Sequence, residues 1–404
     1  MDMQHNGILS QIRECGFSLD RLTEKYPELE ILKGVWQNPA YHAEGDVYTH
    51  TGLVCEQLCS LPEWGRLSGR EQELLFLAAA FHDIGKPACT KFEDGRWTSP
   101  RHTIVGERVF RAMAYRNAEG FGMSFEEREL AAKLVRFHGL PVWFWKKKRT
   151  DYDLLRAALM VPLKLLWILA KADARGRVSR TPGELEEQGQ LFAEYAKELG
   201  VWERPYPFAN AYTRYQYFHK EEMEPGAQIY DDTEFDVWMM AGLPLVGKDT
   251  WIRDNWKQGK IFEEENDKTG RSPLAGPMIS LDEIRAELKI SPTDGSGKVA
   301  NLAIERARGL LRKREPFLWN ATNLMQETRQ RLVRLFAGYG ARVHILYLEA
   351  PYQEILERNR TRERQIPVNV LEQMIDKLEM PEPWEGYEVI WQDSWKKLPI
   401  ICSP

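Results

Sequence analysis

A histidine followed by an aspartate, His82-Asp83, closes an apolar stretch and is followed by Ile-Gly-Lys86-Pro. An imidazole and a carboxylate side by side at a helix end are able to bind one divalent metal together. The dipeptide alone is common by chance, and its companions give it weight. His50 lies upstream, and His102, His138 and Asp173 follow, each at or near the end of an expected helix. Four of the chain's eight histidines thus fall in one ordered series. Read singly, each is an ordinary structural histidine satisfied by a hydrogen bond. Asp173 sits at the polar edge of an otherwise apolar helix and needs a partner, because an unpaired buried charge is costly. One or two divalent transition metals held by such a set would lower the pKa of bound water and clamp the oxygens of a phosphoester. Lys86 is the candidate stabiliser of phosphate charge, with a solvated helix-end lysine as the alternative. Lys146-Lys-Lys-Arg149, just after His138, reads either as a solvated face or as a hold for a polyanionic substrate.

A second set of residues lies in the other half of the chain. Gly242-Leu-Pro-Leu-Val-Gly247-Lys248 fits GxxxxGK, after a strand-like run and before a helix-like one, the context that a phosphate-binding loop requires. Gly242, Gly247, Lys248, Asp249 and Thr250 are the candidate contacts to ATP or another nucleoside triphosphate. Backbone N–H groups would wrap the phosphates, and Lys248 would reach the β- and γ-phosphates. Asp249 stands where Ser or Thr usually binds Mg²⁺; a carboxylate is able to bind that ion directly or through water. Asp282 and Arg285, three apart, share one helix face. They are either a functional pair or an acidic residue complementing a helix dipole beside a surface arginine. The alternating run Arg358-Asn-Arg-Thr-Arg-Glu-Arg364 is either a solvated face or a set of guanidinium groups for phosphate.

These groups need elements to hold them. Ser68-Gly-Arg-Glu71 and Ser124-Phe-Glu-Glu127 are capping-box patterns ahead of apolar helices. Residues 161–174 form a third, strongly apolar helix, and the first half is expected to be mostly α. In the second half, short apolar runs at 235–240, 277–280, 316–320, 343–348 and 387–391 alternate with helical patterns such as 298–314 and 326–338. That alternation predicts a parallel sheet in an α/β domain. The expected organisation is multidomain: an all-α unit over 1–200, a packed aromatic connector over 201–233, and an α/β unit over 234–404.

A chain of 404 residues suits two or three domains, and 43% hydrophobic with 28% charged residues reads as globular. The longest apolar run, Val161–Ala170, is too short to span a bilayer and carries Lys164, so no membrane partner is expected. The N-terminus lacks the pattern of a signal peptide, which makes cytoplasm the default. Five cysteines (15, 55, 59, 89 and 402) include no CxxC pair. Cys55 and Cys59 share a helix face, as a thiolate pair or as ordinary buried residues. The net charge of −5 gives no global nucleic-acid signal.

The order His…His-Asp…His…His…Asp resembles the HD phosphohydrolase superfamily over about residues 40–180. Phe81-His-Asp-Ile-Gly-Lys-Pro-Ala, then Asp94-Gly and Arg101-His102, looks most like HD domains acting on nucleic-acid phosphate ends and cyclic phosphates. The resemblance implies an all-helical HD fold. His50, His82, Asp83 and Asp173 would bind a first metal; His102 and His138, with Asp83 bridging, would bind a second. Over about residues 234–395 the chain resembles P-loop polynucleotide 5′-kinases. That resemblance implies that Asp282 accepts the proton of the attacking hydroxyl and that Arg285 contacts a nucleic-acid phosphate. It also implies that Arg364, with Arg360 second, belongs to a lid over the ATP phosphates. Asn320 stands where these kinases carry Asp, in Asn320-Ala-Thr-Asn323. Together the halves resemble bacterial bifunctional end-healing enzymes. RNA or DNA ends, a nucleotide phosphate donor with Mg²⁺, and a nucleic-acid ligase acting downstream are the implied partners. The alternatives are a nucleotide phosphohydrolase fused to a kinase of nucleosides or sugars, or to a non-catalytic ATP-binding module.

Overall fold

The computed structural model describes residues 7–117, 121–179, 182–258, 276–291, 294–393 and 399–401. The chain divides into two compact units, Met1–Tyr206 and Pro207–Pro404.

The first unit is helical. The capping boxes form as their sequences require: the Ser68 and Ser124 hydroxyls accept from the backbone of Glu71 and Glu127, and both glutamates bond back to the cap N–H. They start the helices Gly69–Phe81 and Phe125–Phe137, which end directly at His82 and His138. Leu163–Gly176 is the apolar helix expected near there, and it packs on Val47–Ser60. Burial of Leu74–Phe81 on every face of their helix makes it the centre of this unit, which excludes water from the residues at its end. One feature departs from the all-helical expectation. A two-stranded hairpin, β1 (Lys91–Glu93) and β2 (Arg96–Thr98), turns at Asp94-Gly95 with both residues at positive φ. Asp-Gly is a favoured two-residue hairpin turn, and its strands were too short to show alternation.

The helices His102–Arg116 and Phe125–Phe137 are tied by buried charge. Arg111, 1% exposed, bonds both oxygens of Glu129 and also Glu107, while Lys133 reaches Glu107 at 2.7 Å. Breaking one partner of such a set strands the other in a dry interior, so it fixes the register of these two helices.

The second unit holds a six-stranded sheet in the order β4 (Met278–Ser280), β5 (Phe317–Asn320), β3 (Phe235–Ala241), β6 (Ala341–Glu349), β7 (Glu388–Asp393), β8 (Pro399–Ile401). The first five are parallel, as the alternation of strands and helices predicted, and β8 pairs antiparallel with β7. β8 was not among the expected strands. β3 lies between β5 and β6, so the chain leaves its C-terminal end at a switch point in strand order, where open α/β sheets carry their ligand crevice. Residues 207–233 pack within this unit. Arg214 donates to the Tyr387 carbonyl, the Tyr387 hydroxyl to Asp231, and Phe218 meets Trp384.

Candidate active sites

The five helices just named for the first unit each bring a polar residue at or near one end to one buried point. His82 and His138 each follow the last residue of a helix, and His102 opens one. In all three, Nδ1 bonds the carbonyl three residues back: Ala79 at 2.7 Å, Ser99 at 2.8 Å and Val135 at 2.8 Å. A carbonyl only accepts, so Nδ1 carries the proton and Nε2 is left as the lone-pair donor a metal needs. These three Nε2 atoms and that of His50 surround Asp83. Its Oδ2 lies 3.1 Å from His82 and 4.0 Å from His50, and its Oδ1 lies 3.5 Å from His102 and 3.9 Å from His138. Two groups of ligand atoms result, His50–His82–Asp83 and Asp83–His102–His138, sharing the aspartate. His82 Nε2 and both Asp83 oxygens are buried without an aligned hydrogen bond, which fits a site built for divalent metal.

Gly85 makes this convergence possible. A Cβ there would stand 2.1 Å from the His102 carbonyl oxygen and 2.5 Å from the Gly106 nitrogen. Only glycine lets the His-Asp turn lie against the helix that carries His102.

Asp173 meets His50 Nε2 at 3.1 Å, but Arg177 also grips both its oxygens, at 3.1 and 2.6 Å. Burial opposes the Asp173 charge, and Arg177 and His50 more than offset it, so its pKa falls well below the usual carboxylate value. Asp83 is likewise held low: burial opposes its charge, and His82 and Lys86 outweigh it. Burial pulls His138 down to about 3, with His82 adding repulsion, so this ring is neutral at physiological pH. Lys86 is buried rather than solvated, 2.6 Å from Asp83 Oδ2 and 2.6 Å from Gln37 Oε1. Lys146 and Arg149 lie over the rings of Trp143 and Tyr152. Cys55 and Cys59 are free thiols whose pKa burial raises, Cys59 to about 11, so neither is a thiolate; Cys402 lies outside the described residues.

Two residues the sequence reading passed over sit behind His50. Glu44 Oε1 is 2.9 Å from His50 Nδ1 and 2.8 Å from His42 Nδ1, and its Oε2 accepts from the Val178 backbone at 2.8 Å. Burial lowers His42 to about 4, so it is neutral and donates. Burial opposes the Glu44 charge, but the histidine and backbone bonds outweigh it and hold it ionised. Both residues lie in a loop with no periodicity, and only the fold brings them to the cluster.

In the second unit, Gly242 begins the loop at the end of β3 with φ of +134° and would place a Cβ 2.3 Å from the Leu348 carbonyl oxygen. The loop leads through Gly247 into the helix Lys248–Asp254. Lys248 Nζ donates to the carbonyls of Gly242 and Leu243, at 3.1 and 2.7 Å. Burial lowers its pKa to about 8, against the pull of Asp249 and Asp282 and with repulsion from Arg362. The loop after β5 flanks this one: the Thr322 carbonyl accepts from Gly242 N, Asn323 donates to the Met240 carbonyl, and Asn320 Nδ2 reaches Asp249 Oδ1 at 3.2 Å. Asp249 and Thr250 are exposed at the loop's end.

Asp282 is exposed on the helix Leu281–Glu287, and its charge reaches Lys248. Arg285, on the same helix, donates from Nη1 to the carbonyls of Ser291 and Asp294, both at 3.0 Å, closing its own turn. Arg360 and Arg364 are exposed. The structure adds two neighbours to them. Arg358 donates to the Leu245 carbonyl of the phosphate loop at 2.7 Å and pairs with Glu354, and the charge of Arg362 acts on Lys248.

Comparison with known proteins gives the same division. Residues 47–175 match the HD domain family, and residues 237–381 match an AAA domain family. The first unit is a helical HD domain, and the second has a P-loop NTPase sheet. Among curated relatives, the multifunctional CCA protein of Nitrosospira multiformis is 29% identical over 212 residues, 52% of this chain and 43% of that protein. Proteins of the same name from Acinetobacter baumannii (29% over 201 residues; 49% and 40%) and Vibrio campbellii (28% over 208 residues; 51% and 43%) are similar. The chain spans less than half the length of these relatives. The HD domain implies a divalent metal, and the P-loop domain implies a bound nucleotide. The chain thus joins an HD phosphohydrolase-type domain to a kinase-like one, the make-up of an enzyme. Among the described residues, no helix is long and apolar enough to cross a membrane.

Proposed function

We propose that this chain heals broken nucleic-acid ends. The HD domain would remove a 3′-phosphate or open and remove a 2′,3′-cyclic phosphate, and the P-loop domain would phosphorylate a 5′-hydroxyl. The observation that carries the reading is Lys248, set at the phosphate loop by bonds from its Nζ to the Gly242 and Leu243 carbonyls, with the exposed carboxylate of Asp282 near enough to act on its charge. A phosphate-binding lysine with an exposed proton acceptor on a neighbouring helix suits transfer to a hydroxyl, where positioning and charge stabilisation do most of the work. Asp282 would take the hydroxyl proton. Lys248, with Arg362, Arg360 and Arg364, would neutralise charge on the transferred phosphoryl group. Arg285 would contact the acceptor strand after releasing its turn carbonyls.

In the HD domain, bound metal would supply an acidified water and a Lewis acid for the phosphoester. The chain's own part is orientation. Backbone carbonyls hold three histidines with Nε2 turned inward, Asp83 spans the two ligand groups, and Lys86 brings a positive charge to the same point. The two reactions are complementary, since a ligase needs a 5′-phosphate and a free 3′-hydroxyl. Incubation with γ-labelled ATP, Mg²⁺ and a 5′-OH oligonucleotide tests the reading: the strand should become labelled. Label on a free nucleoside or sugar but not on the strand would replace it with a small-molecule kinase. ATP binding with no transfer at all would leave a non-catalytic module.

A further inference from the structure

Two residues that depart from the usual P-loop pattern touch each other. P-loop NTPases hold Mg²⁺ with a neutral Ser or Thr hydroxyl on the loop and a carboxylate at the end of a neighbouring strand. Here the loop position after Lys248 is Asp249, and the end of the adjacent strand β5 is Asn320. Their side chains meet at 3.2 Å. A carboxylate only accepts, so the Asn320 amide NH₂ faces Asp249 and its Oδ1 is left for another partner. That oxygen is buried, in a residue 7% exposed, and has no hydrogen-bond partner. An orphaned buried carbonyl-type oxygen beside an exposed carboxylate is unfavourable in an empty site and well suited to a hard cation that takes oxygen ligands.

We propose that Asp249 and Asn320 form the Mg²⁺ position of this domain, with the carboxylate moved from the strand to the loop. One negative charge and one neutral oxygen are kept, and their places are exchanged. Asp249 contributes the charged oxygen, and Asn320 orients it through Nδ2 while offering Oδ1. Either departure alone would leave the cation with no carboxylate or with two, and the pair together restores the ordinary charge. The inference rests on the nucleotide-binding reading of this domain and explains why Asp249 and Asn320 occur in one chain.

The test is a compensating pair of substitutions read by binding. The affinity of a non-hydrolysable ATP analogue is measured by calorimetry on the full chain, with Mg²⁺ and with chelator, for the wild type and four variants. Asp249→Thr should remove most of the Mg²⁺-dependent gain, by about tenfold or more. Asp249→Thr with Asn320→Asp should recover it, while Asn320→Asp alone should weaken metal-free analogue binding by adding a second negative charge. Thr250→Val tests the neighbouring loop hydroxyl as the rival ligand, with any general loss of nucleotide affinity read in the chelator arm. The inference is overturned if Asp249→Thr keeps the full gain, if the double variant is no better than the single one, or if Thr250→Val is the change that abolishes the gain. A wild-type protein that binds no analogue would overturn the nucleotide reading itself, and the inference with it. Because Asp249 is exposed, its substitution leaves the fold intact, and the chelator arm confirms that each variant still binds nucleotide.

Discussion

Glu44 offers a way to ask whether the buried histidine cluster is a metal centre. Three of the histidines have Nδ1 fixed by a backbone carbonyl, whereas His50 Nδ1 faces the Glu44 carboxylate at 2.9 Å. A carboxylate behind a ligating imidazole orients the ring and raises its basicity, and its loss typically costs about 10–100-fold in metal affinity, or about 1.4–2.8 kcal/mol. A second route gives the same size: a hydrogen bond to a charged group contributes about 1.5–3 kcal/mol. Glu44→Gln keeps an oxygen for the Val178 N–H but turns an NH₂ towards the protonated Nδ1 of His42, so some fold stability is lost as well. Mn²⁺ titration calorimetry on the full chain, with Asp83→Ala as the baseline for this site, measures the first effect. Unfolding of the metal-free protein measures the second. The expected result is an affinity lowered within that range in a protein that still folds. Unchanged Mn²⁺ affinity with a lower unfolding midpoint would show that Glu44 only pins its loop to Val178, and the reasoning would fail.

Gly85→Ala forces a methyl group into backbone 2.1 Å away, an overpacking that costs about 1–3 kcal/mol or more, and it should push His102 from Asp83. The check is a lowered denaturation midpoint together with weaker Mn²⁺ binding; loss of neither would mean the turn adapts freely. His344 stacks on Trp238 and bonds Asp236 and Glu388, each at 2.9 Å. Burial opposes its charge, but those two bonds outweigh it, so its pKa is raised. Its contribution to stability should be complete below about pH 6.5, the unfolded value, and lost as pH rises through the folded value. Unfolding free energies of wild type and His344→Gln across that range should converge as pH rises, and parallel curves would refute the assignment.

The parts legible in the sequence were those with local causes. Capping boxes set helix starts, apolar runs set the five parallel strands, and the histidines at helix ends were visible because a helix end is itself a local signal. The ligand grouping around Asp83 follows from helix packing, which the order of residues along the chain only hinted at. Glu44 and His42 carry no sequence signal because a loop has no period, and Arg177, four residues beyond Asp173, competes with a metal as partner of that carboxylate. Asp94-Gly95 carried a hairpin signal that its short strands masked. The arginine run was legible as a cluster of charge, but the bond from Arg358 to the Leu245 carbonyl depends on how the segment leaves its helix.

Two independent catalytic sites on one chain, serving one substrate, separate on an oligonucleotide bearing a 5′-hydroxyl and a 3′-phosphate, incubated with γ-labelled ATP, Mg²⁺ and Mn²⁺ and with wild type, Asp83→Ala or Lys248→Ala. Wild type should label the 5′ end and free the 3′ phosphate, Asp83→Ala should only label, and Lys248→Ala should only free phosphate. If either single change silences both activities in a folded protein, or wild type performs neither, the proposed function fails.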